Sequence, residues 1–294
     1  MPGEIIYALS VMDNRGFADL LRLSLLEDLG RDGDITSDSI FDENQCNAVL
    51  ISRDDGILAG KDYFINVFRH YDKNTGVIFN FNDGDKIFSG DIVAKMSGRI
   101  KSILSVERIA LNFLGYLSGI ATLTGKFVSA AKSTGKCIIL DTRKTLPGYR
   151  KLAKYAVKTG GGGNHRMGLY DMVMIKDNHI DAAGSISKAV TMVRKKVADN
   201  IKIEVECRNI EEVKEAISND ADIIMLDNMN MEMTEEALKL RKGNILFESS
   251  GDMTLEKVAS YSSLGVDFIS AGSLTHSVKN FNYSIKIDSG NRIA

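Results

Sequence analysis

The sequence predicts an α/β protein in which a small α+β domain precedes an α/β barrel. Three observations predict it. Short apolar runs, each ending in a polar or small residue, recur through the last two thirds of the chain. Segments with helical spacing lie between them, as in successive strand–helix units. The first third lacks that rhythm and mixes one amphipathic helix with short strand-like runs.

Taken in order, residues 17–28 carry Leu20, Leu21, Leu25 and, just beyond, Leu29 on one helical face. Residues 30–34 break that helix. Strand-like runs follow at 48–52, 77–81 and 92–96, with turn signals at Asp83-Gly84-Asp85 and Ser89-Gly90-Asp91. The uncharged run 109–125 contains Asn112, Ser118, Thr122 and Thr124, so it reads as a buried helix rather than a membrane span. Six apolar runs then appear: 137–140 before Asp141, 172–175 before Lys176, 203–205 before Glu206, 223–226 before Asp227, 245–247 before Glu248 and 266–269 before Ser270. The last four run ends lie roughly 21 residues apart, enough for one strand and one short helix. Segments 210–217 and 255–264 have helical spacing. Continuous apolar runs are what parallel strands covered on both faces look like. An open doubly wound sheet would also alternate strand and helix, but no GxGxxG follows a strand, which favours the barrel.

Composition narrows the class. The chain has 294 residues, 44% hydrophobic and 26% charged, which excludes a mainly disordered protein. Its net charge of -2 argues against a general nucleic-acid binder. Cys46, Cys137 and Cys207 are far apart and form no CxxC pattern, so neither a disulfide framework nor a zinc site is expected. Glu4 interrupts any basic-then-apolar leader pattern. A soluble cytoplasmic protein is the expectation.

The strand ends separate charge. The early ones carry Arg143 and Lys144, then His165, Arg166 and Lys176; the middle ones carry Glu206 and Asp227. The late ones carry Ser249-Ser250-Gly251 and Ser270-Ala271-Gly272-Ser273. Barrel enzymes place their chemistry at the carboxyl ends of strands. Clustered cations can hold a multiply charged anion, Arg through planar bidentate bonds. A carboxylate pair suits Mg²⁺ or sugar hydroxyls, and small loops opening helices expose N–H groups to phosphate. Singly, each of these residues also fits a solvated charge, a strand-end cap or an ordinary turn. Jointly they point to a phosphorylated sugar together with a second anionic substrate. His70 has no motif around it, His276 suits a terminal cap, and His179 is ambiguous.

Most of these residues fall in one stretch, DTRKTLPGYRKLAKYAVKTGGGGNHRMGLYDMVMIKDNHI, residues 141–180. It resembles the quinolinate phosphoribosyltransferase family, the carboxylating nicotinate-nucleotide pyrophosphorylases. The likeness continues through EDLGRDGDITS (27–37), SVERIALNFL (105–114), LSGIATLT (117–124), EVEC (204–207), MLDN (225–228) and FISAGSLTHS (268–277), covering nearly the whole chain in order.

The resemblance implies an N-terminal α/β sandwich domain, residues 1–115 joined by 279–294, and an incomplete α/β barrel over 116–278. It implies phosphoribosyl transfer from 5-phosphoribosyl-1-pyrophosphate to quinolinate with loss of CO₂, giving nicotinate mononucleotide and pyrophosphate, with Mg²⁺, in NAD biosynthesis. It also implies a homodimer with a shared active site, some relatives assembling further, and no nucleic-acid or membrane partner. Arg143, His165, Arg166 and Lys176 would hold the pyridine dicarboxylate beside Thr142, with Arg108 contributed by the partner subunit. Lys144 and Lys176 would lie near the leaving pyrophosphate, while Glu206 and Asp227 would engage Mg²⁺ and the ribose hydroxyls. Ser249, Ser250, Gly251, Ser270, Ala271 and Gly272 would surround the 5′-phosphate. Two positions depart from the expected pattern: Asp252 in the phosphate loop, and Gly115-Tyr116, expected to affect packing or the dimer contact. A related family associated with molybdenum transport shares the fold, but the complete His165-Arg166 and KDNH (176–179) segments favour the quinolinate enzymes. A non-catalytic metabolite sensor is the other alternative, and it would be expected to have lost one of these cations or carboxylates.

Overall fold

The computed structural model of the protein describes residues 14–288. The leader reading around Glu4 and the outer ends of the segments assigned to the N-terminal domain, 1–13 and 289–294, lie outside the described residues. The first elements are α1 (Asn14–Leu29), α2 (Ile35–Ile40), β1 (Gln45–Ser52), β2 (Gly56–Ile57), α3 (Lys61–Tyr71), β3 (Gly76–Phe79), β4 (Lys86–Ile87), β5 (Ile92–Arg99) and α4 (Ile100–Lys132). Next come β6 (Ile138–Leu140), α5 (Arg150–Thr159), β7 (Val173–Ile175), α6 (Asp177–Ala183), α7 (Ile186–Arg194), β8 (Ile203–Cys207), α8 (Ile210–Ser218), β9 (Ile223–Asp227) and α9 (Met231–Lys239). The chain ends with β10 (Leu246–Ser250), α10 (Leu255–Ser263), β11 (Phe268–Ser270), α11 (Ser273–His276) and β12 (Tyr283–Asp288).

The N-terminal unit is an antiparallel sheet in the order β12-β1-β5-β3, with the small pair β2-β4 beside it. In its second half β1 alternates buried and partly exposed residues, because one face packs on helices and the other meets water. Phe64, Val67 and Phe68 of α3 fill the space beneath the sheet, and α1 adds Leu21. Phe17 stands edge-on to Tyr63 and Phe113, with ring centres 4.8 and 5.3 Å apart. Asp34 caps α2 by accepting from the Ser37 N–H at 3.0 Å, and its other oxygen accepts from Ser105 of α4 at 3.1 Å.

Helix α4 connects the two parts of the molecule. It packs against α3 and β2 on one side and against α5, α10 and β6 on the other. The domain boundary expected at 115/116 therefore falls inside a continuous helix. By length and composition α4 is the one described helix apolar enough to cross a membrane, yet 72% of its most apolar stretch is buried inside the fold. Its small residues let the returning chain approach. A Cβ on Gly119 would sit 2.4 Å from the Lys279 carbonyl oxygen, and one on Gly115 would sit 2.8 Å from that of Phe281. Gly115 accepts from the Phe281 N–H at 2.9 Å, and the Tyr116 hydroxyl donates to the Thr275 carbonyl at 2.7 Å. The Gly115-Tyr116 pair thus packs within its own chain. From there β12 runs antiparallel to β1, Ser52 opposite Tyr283 and Asn47 opposite Asp288.

The second unit is a parallel six-stranded sheet in the order β6-β11-β10-β9-β8-β7. Neighbours in sequence are neighbours in space except that β6 lies beside β11, as curling toward a barrel requires. No ladder joins β6 to β7 among the described residues, so the α/β barrel is incomplete. Beside that seam, Gly163 bridges in parallel to Leu140. All five residues of β8 are buried, as expected for a strand covered on both faces. Two strands run further than the apolar runs indicate. Strand β8 continues through Glu206 to Cys207, and β10 through Glu248 to Ser250. Glu248 is therefore a strand-interior residue, not a strand end, and Ser249 and Ser250 belong to the strand rather than to the loop after it. Ladder bonds carry the strand across these polar residues.

Candidate active site

The carboxyl ends of the parallel strands lie along one rim. Strand register sets Ser250 beside Asp227, Ser270 beside Leu140, and Glu206, Met225 and Glu248 in one row across β8, β9 and β10. Lys176, which precedes α6, bonds through Nζ to Oε2 of Glu206. That pair ties the end of β7 to β8. Asp227 accepts from the Asn228 side-chain amide at 3.0 Å.

Arginines dominate the other side. Arg166 is buried and donates through Nη1 to the Met172 carbonyl at 3.1 Å. Burial first, and then the charge of Arg143 nearby, hold Arg166 below the usual arginine range. The Nε of Arg143 is itself buried without a hydrogen-bond partner. Two neighbouring guanidiniums, one with a buried unpaired donor, form a place prepared for an anion. Thr142 accepts from the Lys144 N–H at 3.0 Å and so shapes the turn that carries both basic residues. Lys144 is exposed, and a Cβ on Gly272 would lie 2.8 Å from its Cδ, so its stem crosses the Gly272 loop.

The small-residue loops differ from each other. Gly251 has φ +111°, and a Cβ there would lie 2.2 Å from Asn228 Oδ1, so glycine alone fits this turn without displacement. Ser249 Oγ is buried and unpartnered, and Ser270 donates to Ser250 Oγ at 3.0 Å. Ala271 spends its N–H on the Leu140 carbonyl at 3.1 Å, so that donor is not directed at a ligand. Asp252 is exposed, and its N–H donates to Asn228 Oδ1 at 3.4 Å. Arg108 is exposed on α4 rather than on a strand end of the rim. His179 accepts from the Lys176 N–H at 2.9 Å as part of the cap of α6, and His276 contacts Ser277 Oγ at 2.6 Å.

His165 points inward rather than toward the rim. Its N–H donates to Asp141 Oδ1 at 2.9 Å, and its carbonyl accepts from Lys154 Nζ at 2.8 Å. Nδ1 accepts from the Arg166 N–H at 2.7 Å, while Nε2 lies 3.0 Å from Glu204 Oε2 and 3.7 Å from Glu248 Oε2. Lys154 and Asp141 form an ion pair with both side chains fully buried, and Asn164 donates to Asp141 Oδ2 at 2.6 Å. Asp141, Lys154, Asn164, Glu204 and Glu248 are not among the site residues read from the sequence. One signal was present: Glu204 lies two residues before Glu206 in an otherwise apolar run, which in a strand puts both on the same side.

Two groups of residues are suited to cations. Ligand atoms of His165, Glu204 and Glu248 all lie within 4.8 Å of one another, a buried set of the kinds that could hold a metal ion. Glu206 and Asp227 offer only carboxylate oxygens. Their described bonds, to Lys176 and Asn228, engage one oxygen of each. A hard, oxygen-only, partly open pair fits Mg²⁺, which keeps much of its water or takes substrate oxygens.

Two family models match the chain: Quinolinate phosphoribosyl transferase, N-terminal domain, over residues 34–118, and the C-terminal domain of the same family over residues 120–286. The chain is 42% identical over 280 residues to the probable carboxylating nicotinate-nucleotide pyrophosphorylase of Bacillus subtilis, covering 95% of this chain and 96% of that one. It is 42% identical over 289 residues to a decarboxylating quinolinate phosphoribosyltransferase of Nicotiana tabacum, covering 92% and 82%. NadC from Streptococcus pyogenes has the same fold with a TM-score of 0.90 and 39% identity, over 94% of this chain and 98% of that one. The nicotinate-nucleotide pyrophosphorylase from Francisella tularensis also superposes with a TM-score of 0.90 at 39% identity, over 95% and 98%. The chain belongs to the quinolinate phosphoribosyl transferase family.

Proposed function

We propose that this protein transfers the phosphoribosyl group of 5-phosphoribosyl-1-pyrophosphate to quinolinate, with decarboxylation, giving nicotinate mononucleotide, pyrophosphate and CO₂. One observation carries the reading most directly: Arg143 and Arg166 are brought together with a buried unpaired guanidinium nitrogen, as a dicarboxylate would require. Identity of 42% to a carboxylating pyrophosphorylase over 95% of the chain supports it.

In this reading Arg143 and Arg166 hold the two carboxylates and orient the pyridine nitrogen toward the anomeric carbon. Lys144 and Lys176 neutralise charge that grows on the leaving pyrophosphate, an electrostatic rather than covalent contribution. Glu206 and Asp227 orient the ribose hydroxyls and would hold Mg²⁺, which when bound adds charge neutralisation at the pyrophosphate. Ser249, Ser250, Gly251, Ser270 and Gly272 receive the 5′-phosphate. Once the carbon–nitrogen bond forms and the bond to pyrophosphate breaks, the cationic ring stabilises the electron pair left on C2 as the 2-carboxylate leaves as CO₂, and a proton from water then takes its place on C2. No protein nucleophile takes part.

The catalytic unit is assigned to residues 116–278, with 1–115 and 279–294 forming the other domain. The enzyme acts as a homodimer in which Arg108 completes the partner's site. The cysteines of the described residues are free, in keeping with a reducing cytoplasm. The deciding assay follows nicotinate mononucleotide by chromatography from quinolinate, phosphoribosyl pyrophosphate and Mg²⁺, with nicotinate in parallel. Quinolinate-dependent product is expected, and none with nicotinate. A folded protein that makes no product overturns the reading. Mixing inactive Arg108→Ala and Lys176→Ala subunits tests the shared site. Recovery of activity is expected, and no recovery after verified subunit exchange removes it.

A further inference from the structure

The two arginines of the anion site come from loops on opposite sides of the open seam. Arg143 follows β6 and Arg166 precedes β7, and no ladder joins those strands among the described residues. Strand pairing therefore does not set their spacing, and their like charges oppose it. A dicarboxylate site needs the two loops held at a fixed separation before the ligand arrives. Helix α5, which lies between them in the chain, supplies that hold.

The half-buried Arg150, in the first turn of α5, reaches both loops. Its Nη2 donates to the Arg143 carbonyl at 3.3 Å, Nη1 to the Met167 carbonyl at 3.2 Å, and Nε to Thr145 Oγ1 at 3.2 Å. One planar group thus engages three acceptors in a fixed fork that a flexible ammonium cannot reproduce. Met167 follows Arg166 directly, and its N–H donates to Asp171 Oδ2 at 2.6 Å. The residue next to Arg166 is therefore held through both its N–H and its carbonyl. One turn further along the same face of α5, Lys154 repeats the bridge through the Asp141 carboxylate and the His165 carbonyl. Lys144 is held separately, its carbonyl accepting from Thr275 Oγ1 of α11 at 2.8 Å.

We propose that Arg150 sets the spacing of Arg143 and Arg166 across the seam, and with it the preference of the site for adjacent carboxylates. It is a positioning residue. Its guanidinium is engaged by acceptors of the protein, so it acts through the main chain of the two loops and is not itself a ligand of the anion. Specificity then becomes a matter of distance. Two guanidiniums held at one separation match the vicinal carboxylates of quinolinate and mismatch an isomer whose carboxylates stand further apart.

This inference rests on the proposed activity, and its test separates the two. Initial rates are measured for wild type, Arg150→Ala and Arg150→Lys while quinolinate and phosphoribosyl pyrophosphate are varied in turn. Binding is titrated separately by calorimetry with quinolinate and with lutidinate, the isomer whose carboxylates stand one ring carbon further apart. Arg150→Ala is expected to raise KM and Kd for quinolinate about tenfold or more, since displaced binding groups cost rates and affinities of that order. KM for phosphoribosyl pyrophosphate should stay within about twofold, the split that marks loss at one subsite. Arg150→Lys should stay close to alanine, because its single ammonium keeps the charge and loses the fork. Both variants should narrow the preference for quinolinate over lutidinate. The proposal is overturned if lysine matches wild type, which would make charge alone sufficient, or if both KM values rise together. It is also overturned if the preference over lutidinate is unchanged, or if neither variant folds. A wild type that binds quinolinate and makes no product fails the functional reading instead, and the calorimetric comparison still decides the role of Arg150.

Discussion

The two halves of this molecule bury polar groups in opposite ways. In the N-terminal unit the buried charge Asp72 and the buried hydroxyl Ser118 are answered, although Thr75 Oγ1 is buried without a partner. Asp72 accepts from Ser102 at 2.7 Å, Arg99 at 2.9 Å and the Asn74 N–H at 3.0 Å. Ser118 of α4 accepts from the Ala59 N–H at 3.0 Å and from Tyr283 at 2.9 Å. In the barrel, Arg143 Nε, Glu204, Glu248 and Ser249 contain buried atoms without partners. Unsatisfied buried groups oppose folding, so Arg143 Nε at the rim and the glutamates inside the barrel are places where stability is exchanged for something other than packing. In the proposed reading the barrel carries most of the chemistry, and Arg108 is what the N-terminal unit adds to it.

Substitutions in the barrel should break this contrast most strongly. Lys154→Met leaves Asp141 as a fully buried charge without its ion partner, and breaking such a pair costs about 3–5 kcal/mol of stability. Thermal or urea unfolding checks it, and a variant as stable as wild type would show that Asp141 does not depend on Lys154. Arg143→Ala is next. It is expected to abolish measurable quinolinate binding, because truncating a desolvated charged contact costs about 2–5 kcal/mol. Unchanged affinity by calorimetry removes Arg143 from the site.

The pH response should separate the halves by sign. For Asp72, burial raises the carboxyl, but Ser102, the Asn74 amide and Arg99 outweigh it and hold the group below its ordinary 3.8. Its contribution is therefore present above 3.8 and is lost as pH falls through the lowered value. Glu248 goes the other way. Its folded value near 8 lies above the ordinary 4.5, so its contribution is present below 4.5 and is lost as pH rises through about 8. Melting temperatures across pH should show Asp72→Asn flattening the acid limb and Glu248→Gln flattening the neutral one. The same limb flattened by both variants would erase the distinction. The smallest effect is expected at the α2 cap, where Asp34→Ala should cost about 1 kcal/mol by denaturant unfolding and leave both KM values alone.

Much of this site is legible in the residues because its chemistry is written in side-chain types at strand ends. Arg143, Lys144, Lys176, Glu206 and Asp227 follow apolar runs, and strand ends gather on one rim. The strand interior is harder to read. Glu248 looks like a terminator because carboxylates usually end apolar runs, and only the ladder to β9 and β11 shows the strand continuing past it. Lys154 reads as one more basic residue on an amphipathic helix, whereas it is buried against Asp141, thirteen residues away. His165 looks like another member of the cationic wall, and its direction depends on the seam.

The sequence alone determined the alternating strand–helix order, the buried character of α4 and the residue types at the rim. These follow from local periodicity and composition, which act over a few turns of chain. Tertiary structure alone decided that the opening in the barrel lies between β6 and β7, and that β1 is the strand with which residues 283–288 pair. It also decided that His165 turns inward to two glutamates on strands that are not neighbours. Those outcomes depend on contacts between residues far apart in the chain, whose partners are set when the sheet curls and not by any local pattern.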